Sequence, residues 1–69
     1  MTAAQTIKTY RECAGLSQAA FARQIGVTQG LSGHYETGRK VPSARAAVTI
    51  DKATNGAIPR AKLRPDLFS

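Results

Sequence analysis

Glycines followed by hydroxyl-bearing residues divide this chain into short segments, and no other sequence feature constrains its fold as strongly. Gly15 precedes Ser17, and Gly26 precedes Thr28. Each glycine can end a helix in a left-handed conformation, and each hydroxyl can cap the helix that follows. Between these breaks apolar residues recur at spacings of three and four, and no stretch alternates long enough to indicate a strand. The sequence therefore predicts an all-α fold, a compact bundle of four to five helices.

The breaks also give approximate bounds for the first three helices. We expect them at about 3–14, 17–26 and 28–37, with Ser17 and Thr28 as caps. The first helix should turn an apolar stripe of Ile7, Tyr10 and Ala14 towards the core, because these residues are three and four apart.

The second half of the chain predicts a longer helix and a short one. Pro42 and Ser43 are suited to a helix entry, and Asn55-Gly56 to its end. Pro59 is expected as the first residue of a last helix of about one and a half turns, ended by Pro65. The apolar face of the fourth helix is expected to contain Ala44, Ala47, Val48, Ile50 and Ala53.

The charge balance favours an anionic partner. Ten Lys and Arg against four Asp and Glu give a formal net charge of +6 and a pI near 10.3. No apolar run approaches the roughly 20 residues that a membrane span needs, so nucleic acid is favoured over a membrane. We expect one domain over residues 1–69, near the lower size at which a chain folds without disulfides or metal.

Residues suited to catalysis or metal binding are scarce. Cys13 is the only cysteine, so we expect a half-buried helix residue in a reducing cytoplasm, with no disulfide and no thiolate metal site. The first ten residues lack the apolar stretch of a signal peptide, which also predicts a cytoplasmic protein. His34 is the only histidine, and no paired catalytic constellation is present. We therefore expect no catalytic residue, no metal, no cofactor and no small-molecule substrate.

Residues 17–37, SQAAFARQIGVTQGLSGHYET, match the pattern of a helix-turn-helix at several independent positions. Ala22 is small where the two helices would cross, and Gly26 permits the turn between them. Ile25 and Val27 supply the apolar pair around that turn, and Tyr35 can return to the core. The segment predicts a DNA-binding unit whose second helix enters the major groove.

If Val27 and Tyr35 face the core, the outer side of the third helix carries groups that recognise bases. Glutamine can bond bidentately to adenine, and leucine can contact a thymine methyl. Arg39 and Lys40 follow this helix and can neutralise flanking phosphates without recognising sequence. The residues expected at the bases are Thr28, Gln29, Leu31 and His34, with Gln29 the foremost, and Gly30 is expected to bind DNA beside them.

The segment between residues 7 and 40 resembles lambdoid phage repressors and Cro-type proteins, through Arg11, GLSQ, Ala22, IGVTQ and YETG. The tail LRPDLF is similar to that of small Cro-like or antitoxin-type regulators. The resemblance implies a lambda repressor-like fold and a repressor that binds a pseudo-palindromic operator as a homodimer. It also implies a structural ion pair between Arg11 and Glu36, and a phosphate contact by Gln18 at the start of the second helix.

The third helix departs from the family pattern. Ser32 stands where the family usually has valine or isoleucine, and Gly30 and Gly33 each cost roughly 1 kcal/mol relative to alanine. We expect Ser32 to face the core, where Phe21 can fill the volume that a larger residue would occupy. Its hydroxyl is expected to donate to the Thr28 carbonyl, four residues back.

Two other functions fit parts of the sequence. An antitoxin would bind DNA and also a toxin partner, for which the apolar tail LRPDLF offers a docking segment. A protein-interaction module would use the basic surface to bind an acidic protein, with no base recognition by the third helix. An enzyme is disfavoured, because a helical chain of 69 residues has little room for a pocket with convergent polar groups.

Overall fold

Five helices make up the computed structural model, which describes residues 1–68. No strand occurs among these residues, which confirms the predicted all-α fold. α3 packs against α1 and α2, while α4 packs against α2 and α5. The helices are α1 (Ala3–Cys13), α2 (Gln18–Ile25), α3 (Gln29–Thr37), α4 (Ala44–Ala53) and α5 (Arg60–Leu63).

A hydroxyl residue caps each of the first four helices. Its side-chain oxygen accepts a hydrogen bond from the backbone N–H three residues on, at 3.1 Å in every case. Each bond satisfies one of the N–H groups that a helix start leaves without an internal partner. The predicted caps Ser17 and Thr28 are confirmed, Ser43 caps α4 at its predicted entry, and Thr2 is a cap that the sequence analysis missed.

The core is an apolar cluster to which all five helices contribute. Phe21 is its largest fully buried side chain, and its ring lies 5.8 Å from that of Tyr10, centroid to centroid. The tilted geometry is a favourable one for two aromatic rings. The buried members are Ile7, Phe21, Ile25, Tyr35, Ala47, Ile50, Ile58 and Leu63.

The structure differs from the sequence analysis at four residues. Ala14 and Ala44 are exposed, because one follows the last residue of α1 and the other begins α4, where each helix extends past the core. Cys13 is also exposed. It lies about 120° around the helix from the direction of Ile7, at 100° per residue. Pro59 is the N-cap of α5 and not its first residue, so that helix is a single turn of four residues.

Ser32 is buried on α3, with none of its surface exposed to solvent, as the predicted orientation requires. The predicted bond to the Thr28 carbonyl is absent. That carbonyl accepts from the backbone N–H of Ser32 at 3.0 Å, and Ser32 Oγ has no hydrogen-bond partner among the described residues. A buried hydroxyl without a partner destabilises a fold by about 1 to 3 kcal/mol.

Polar contacts of α4 fix the path of the chain into α5. The Thr54 hydroxyl donates to the Ile50 carbonyl at 2.8 Å and accepts from the backbone N–H of Ile58 at 3.1 Å. Asp51 Oδ2 accepts from Arg60 twice, from the backbone N–H at 3.0 Å and from Nε at 2.9 Å. These bonds, the backbone one first, lower the pKa of the Asp51 carboxyl. The short last helix is thereby held against α4.

Candidate nucleic-acid interface

A tight turn sets the angle between α2 and α3. Gly26 ends α2 in the left-handed conformation, with φ of 76°, which a residue with a Cβ rarely adopts. The backbone N–H of Val27 then donates to the Ala22 carbonyl at 2.9 Å. Ala22 is almost fully buried, and its small side chain allows the close packing of α2 and α3. α3 is therefore held firmly on one side while its opposite side remains at the surface.

An ion pair between Arg11 and Glu36 joins the first and third helices. Arg11 Nε lies 2.9 Å from Glu36 Oε2, and Nη1 donates to the Leu16 carbonyl at 2.9 Å. The side chains are only 15% and 4% exposed, so the pair is shielded from water. The hydrogen bond to Glu36 is the main cause that raises the pKa of Arg11. One guanidinium thus ties α1, the turn before α2 and the end of α3 together.

A shallow depression lies between the start of α2 and the outer side of α3. We call it the α3 depression; its wall includes five of the eight residues expected to bind DNA. Gly33 and Thr37 also contribute, and the sequence analysis missed both. They lie four and eight positions after Gln29 on one face of the helix, so helical periodicity could have found them. The lining residues are Gln18, Gln29, Gly30, Gly33, His34, Thr37 and Arg39.

The structure places the other three expected residues outside the depression. Thr28 is exposed, and its hydroxyl caps α3 by accepting from the Leu31 N–H. Leu31 differs most from the expectation, because it is half-buried and packs against the core cluster. It lies four residues before Tyr35 and so shares the edge of the buried face. Lys40 is exposed, and its backbone N–H donates to the His34 carbonyl at 3.3 Å.

The family model for a helix-turn-helix domain matches residues 3–63. The chain belongs to this family. The match includes all five helices, and the geometry described above contains the two helices and the turn for which the family is named. No curated protein matches the chain. No solved structure matches it either.

Two glycines in the second helix of the helix-turn-helix shape the α3 depression. Gly30 and Gly33 have ordinary helical backbone angles, and a Cβ built on either would meet no heavy atom within 4 Å. The packing of the domain therefore does not require glycine at these two positions. Their effect is on the surface, where they leave the α3 backbone open to close approach.

Two cations without a carboxylate partner among the described residues lie in the turn after α3, beside the α3 depression. Three arginines form ion pairs with three of the four acidic residues of the chain. Arg39 and Lys40 are exposed, and neither has an acidic partner within residues 1–68. The turn after α3 thus keeps its positive charge for an external anion. The paired residues are Arg11 with Glu36, Arg60 with Asp51, and Arg64 with Asp66.

The described part of the chain contains neither a membrane span nor a metal cluster. No helix there is long and apolar enough to cross a membrane. No group of three or more His, Cys, Asp or Glu within residues 1–68 is arranged to hold a metal ion.

Proposed function

We propose that this helix-turn-helix protein is a sequence-specific DNA-binding regulator, and that it acts as a Cro-like repressor. The observation that carries the proposal is the α3 depression beside a basic turn without acidic partners. Gln29 and His34 bear groups that recognise bases, and Arg39 and Lys40 leave two cations beside them. The family match supports the DNA-binding part of this proposal.

Base recognition is assigned to α3 in the major groove. Gln29 is exposed at the first residue of the helix, and its amide can bond bidentately to adenine N6 and N7. His34 lies about one and a half turns further along the same depression, where its ring can reach the next bases. Gly30 and Gly33 let the backbone approach the groove floor, and the part of Leu31 that stays accessible can contact a thymine methyl.

Phosphate binding is assigned to residues on both sides of α3. Gln18 is the first residue of α2, and a helix start presents free N–H groups and partial positive charge to an anion. Arg39 and Lys40 follow the last turn of α3 and would contact the backbone at the other edge of the groove. Such contacts position the helix but carry no sequence information.

Repression by occupancy follows from this assignment. One short helix specifies too few base pairs for a unique site, so we propose a homodimer on a pseudo-palindromic operator. Its two α3 helices would enter major grooves about 34 Å apart, one helical turn of DNA. The bound dimer would exclude polymerase, and the mechanism requires neither catalysis nor a cofactor.

The tail gives little support to the antitoxin alternative. Leu63 is buried in the core, and Phe68 packs against the core cluster with its ring 5.8 Å from the guanidinium carbon of Arg60. Of the large apolar residues in LRPDLF, only Leu67 is well exposed, at 52%. The segment predicted to dock a toxin is therefore folded onto its own domain.

A selection of bound fragments from random duplex DNA, followed by titration of the enriched duplex at several salt concentrations, tests the proposal. We expect an enriched pseudo-palindrome and a log–log salt slope of about −0.9 for each phosphate neutralised. A slope near zero would contradict DNA binding. A steep slope without any enriched sequence would favour the basic protein-interaction module, which binds anions without base recognition.

A further inference from the structure

The segment Arg64–Asp66 is folded against the loop that carries the basic turn. Arg64 donates from Nη1 to the Pro42 carbonyl at 3.2 Å. The same guanidinium donates to both carboxylate oxygens of Asp66, from Nε at 3.0 Å and from Nη2 at 2.7 Å. Three of its nitrogens are thus occupied within the domain. A planar guanidinium held by a bidentate carboxylate has a fixed direction, so its third contact is also directed.

The contact with Pro42 reaches a loop that has few other restraints. Arg39 and Lys40 are exposed three and two residues before this proline, and Val41 is 62% exposed. On the α3 side, the loop is tied by the N–H of Lys40 to the His34 carbonyl, at 3.3 Å. On the α4 side, it is held by the burial of Pro42, by the bond from Arg64 and by Ser43, which caps α4.

We propose that Arg64, oriented by Asp66, is a positioning residue that holds the Arg39–Lys40 turn in place for phosphate binding. The inference rests on the proposed DNA-binding function and gives the RPD segment of the tail a role in it. Arg64 itself is not assigned a phosphate contact, because its charge is matched by Asp66 and three of its five N–H donors are engaged within the domain. The tail of the chain thereby acts on the interface without touching DNA.

Asp66→Asn gives the sharpest test, because two explanations predict opposite signs. The substitution raises the net positive charge by one, so long-range electrostatics alone would tighten DNA binding. Loss of the carboxylate frees the Arg64 guanidinium from its bidentate partner, so the positioning role predicts weaker binding. Arg64→Ala should weaken binding by about three- to tenfold, the effect of one hydrogen bond of ordinary strength.

The experiment measures binding of a fluorescein-labelled mixed-sequence duplex by anisotropy over a series of salt concentrations. Lys62→Ala is the matched control, because it removes an exposed cation from α5, two residues before Arg64, and leaves the bond to Pro42 in place. We expect Arg64→Ala and Asp66→Asn to weaken binding more than Lys62→Ala does. In a chain that already carries Arg39→Ala and Lys40→Ala, the effect of Arg64→Ala should fall to that of Lys62→Ala, since only the loss of one charge remains and no basic turn is left to position.

The order of the turn is measured separately in the absence of DNA. Backbone ¹⁵N relaxation should show lower order parameters for residues 38–41 in both variants, with α1 to α4 unchanged. Equal order in wild type and both variants would overturn the positioning role whatever DNA binding shows. Additive effects with the Arg39 and Lys40 substitutions, or tighter binding by Asp66→Asn, would also overturn it. A wild-type chain that fails to bind the duplex would instead overturn the proposed function, and relaxation would still decide whether Arg64 orders the turn.

Discussion

The two helices of the helix-turn-helix have nearly equal lengths but bury different kinds of side chain. α2 has eight residues, of which Phe21, Ala22 and Ile25 are buried. α3 has nine, of which only Ser32 and Tyr35 are buried, and the Ser32 hydroxyl has no partner within residues 1–68. α2 is therefore fixed by its own apolar face. α3 has one buried apolar side chain of its own and is also tied to α1 by the Arg11–Glu36 ion pair, while its outer side lines the α3 depression.

The largest expected effect is a loss of stability caused by a substitution in the buried face of α2. Phe21→Ala removes the largest fully buried side chain of the core and leaves a cavity, so we expect a loss of about 3 to 5 kcal/mol in the free energy of unfolding. A domain of this size has total stability of that order, and the variant should be largely unfolded by circular dichroism at 37 °C. Arg23→Ala on the exposed side of α2 is the control, with a change within about 0.5 kcal/mol in urea unfolding. A Phe21→Ala variant that unfolds cooperatively and loses less than about 2 kcal/mol of the free energy of unfolding would contradict the assigned role of α2.

The next largest effect is on DNA affinity, through substitutions in and after α3 that leave stability unchanged. Gln29→Ala should cost about 1 to 3 kcal/mol of binding to the selected duplex, and discrimination should be lost at one base pair only. Lys40→Ala should instead weaken binding to every duplex and flatten the salt slope by about one unit. Equal losses for Gln29→Ala on all duplexes would assign Gln29 to phosphate positioning and remove the main base contact from α3.

The same contrast explains what could be predicted from the sequence. The caps Ser17 and Thr28 and the left-handed Gly26 act over three or four residues, so local patterns located α2 and α3 within a residue or two. Contacts between distant residues left no such local signal, and the Arg11–Glu36 ion pair was expected only through the family resemblance. The bond from Arg64 to Pro42 spans 22 positions, and the half-burial of Leu31 depends on how α3 packs against its neighbours. The α3 depression was predicted in part, because its members repeat with the helical period but its shape depends on that packing.

A smaller effect is expected where α3 buries a hydroxyl. Ser32→Ala removes an oxygen without a partner and places a better helix former on α3, so we expect stabilisation of about 1 to 2 kcal/mol in urea unfolding. Ser32→Val combined with Phe21→Leu tests the packing in a double-mutant cycle, where contact predicts non-additivity above about 0.5 kcal/mol. Destabilisation by Ser32→Ala would mean that the hydroxyl has an acceptor in solution and that α3 is better satisfied than its burial suggests.

The smallest change in stability is expected when the glycines of α3 are replaced by alanine, which leaves α3, like α2, without glycine. Gly30→Ala and Gly33→Ala should each stabilise the domain by about 1 kcal/mol, because both positions are helical and neither offers a heavy atom within 4 Å of the added methyl group. DNA binding should move the other way, since each methyl group projects into the α3 depression and keeps the backbone from the groove floor.

Thr49→Ala is the control that separates a gain in stability from a loss of DNA affinity. Thr49 is exposed on α4, away from the α3 depression, and alanine there also favours the helix by a few tenths of a kcal/mol. It should raise the midpoint of urea unfolding while leaving the affinity for the selected duplex unchanged. If the glycine variants gain stability and bind as tightly as wild type, close backbone approach is not why α3 contains two glycines. If they gain stability and lose affinity, the two glycines serve close approach of the α3 backbone to DNA. They then lower the stability of α3 in a way that has no counterpart in α2, which contains no glycine.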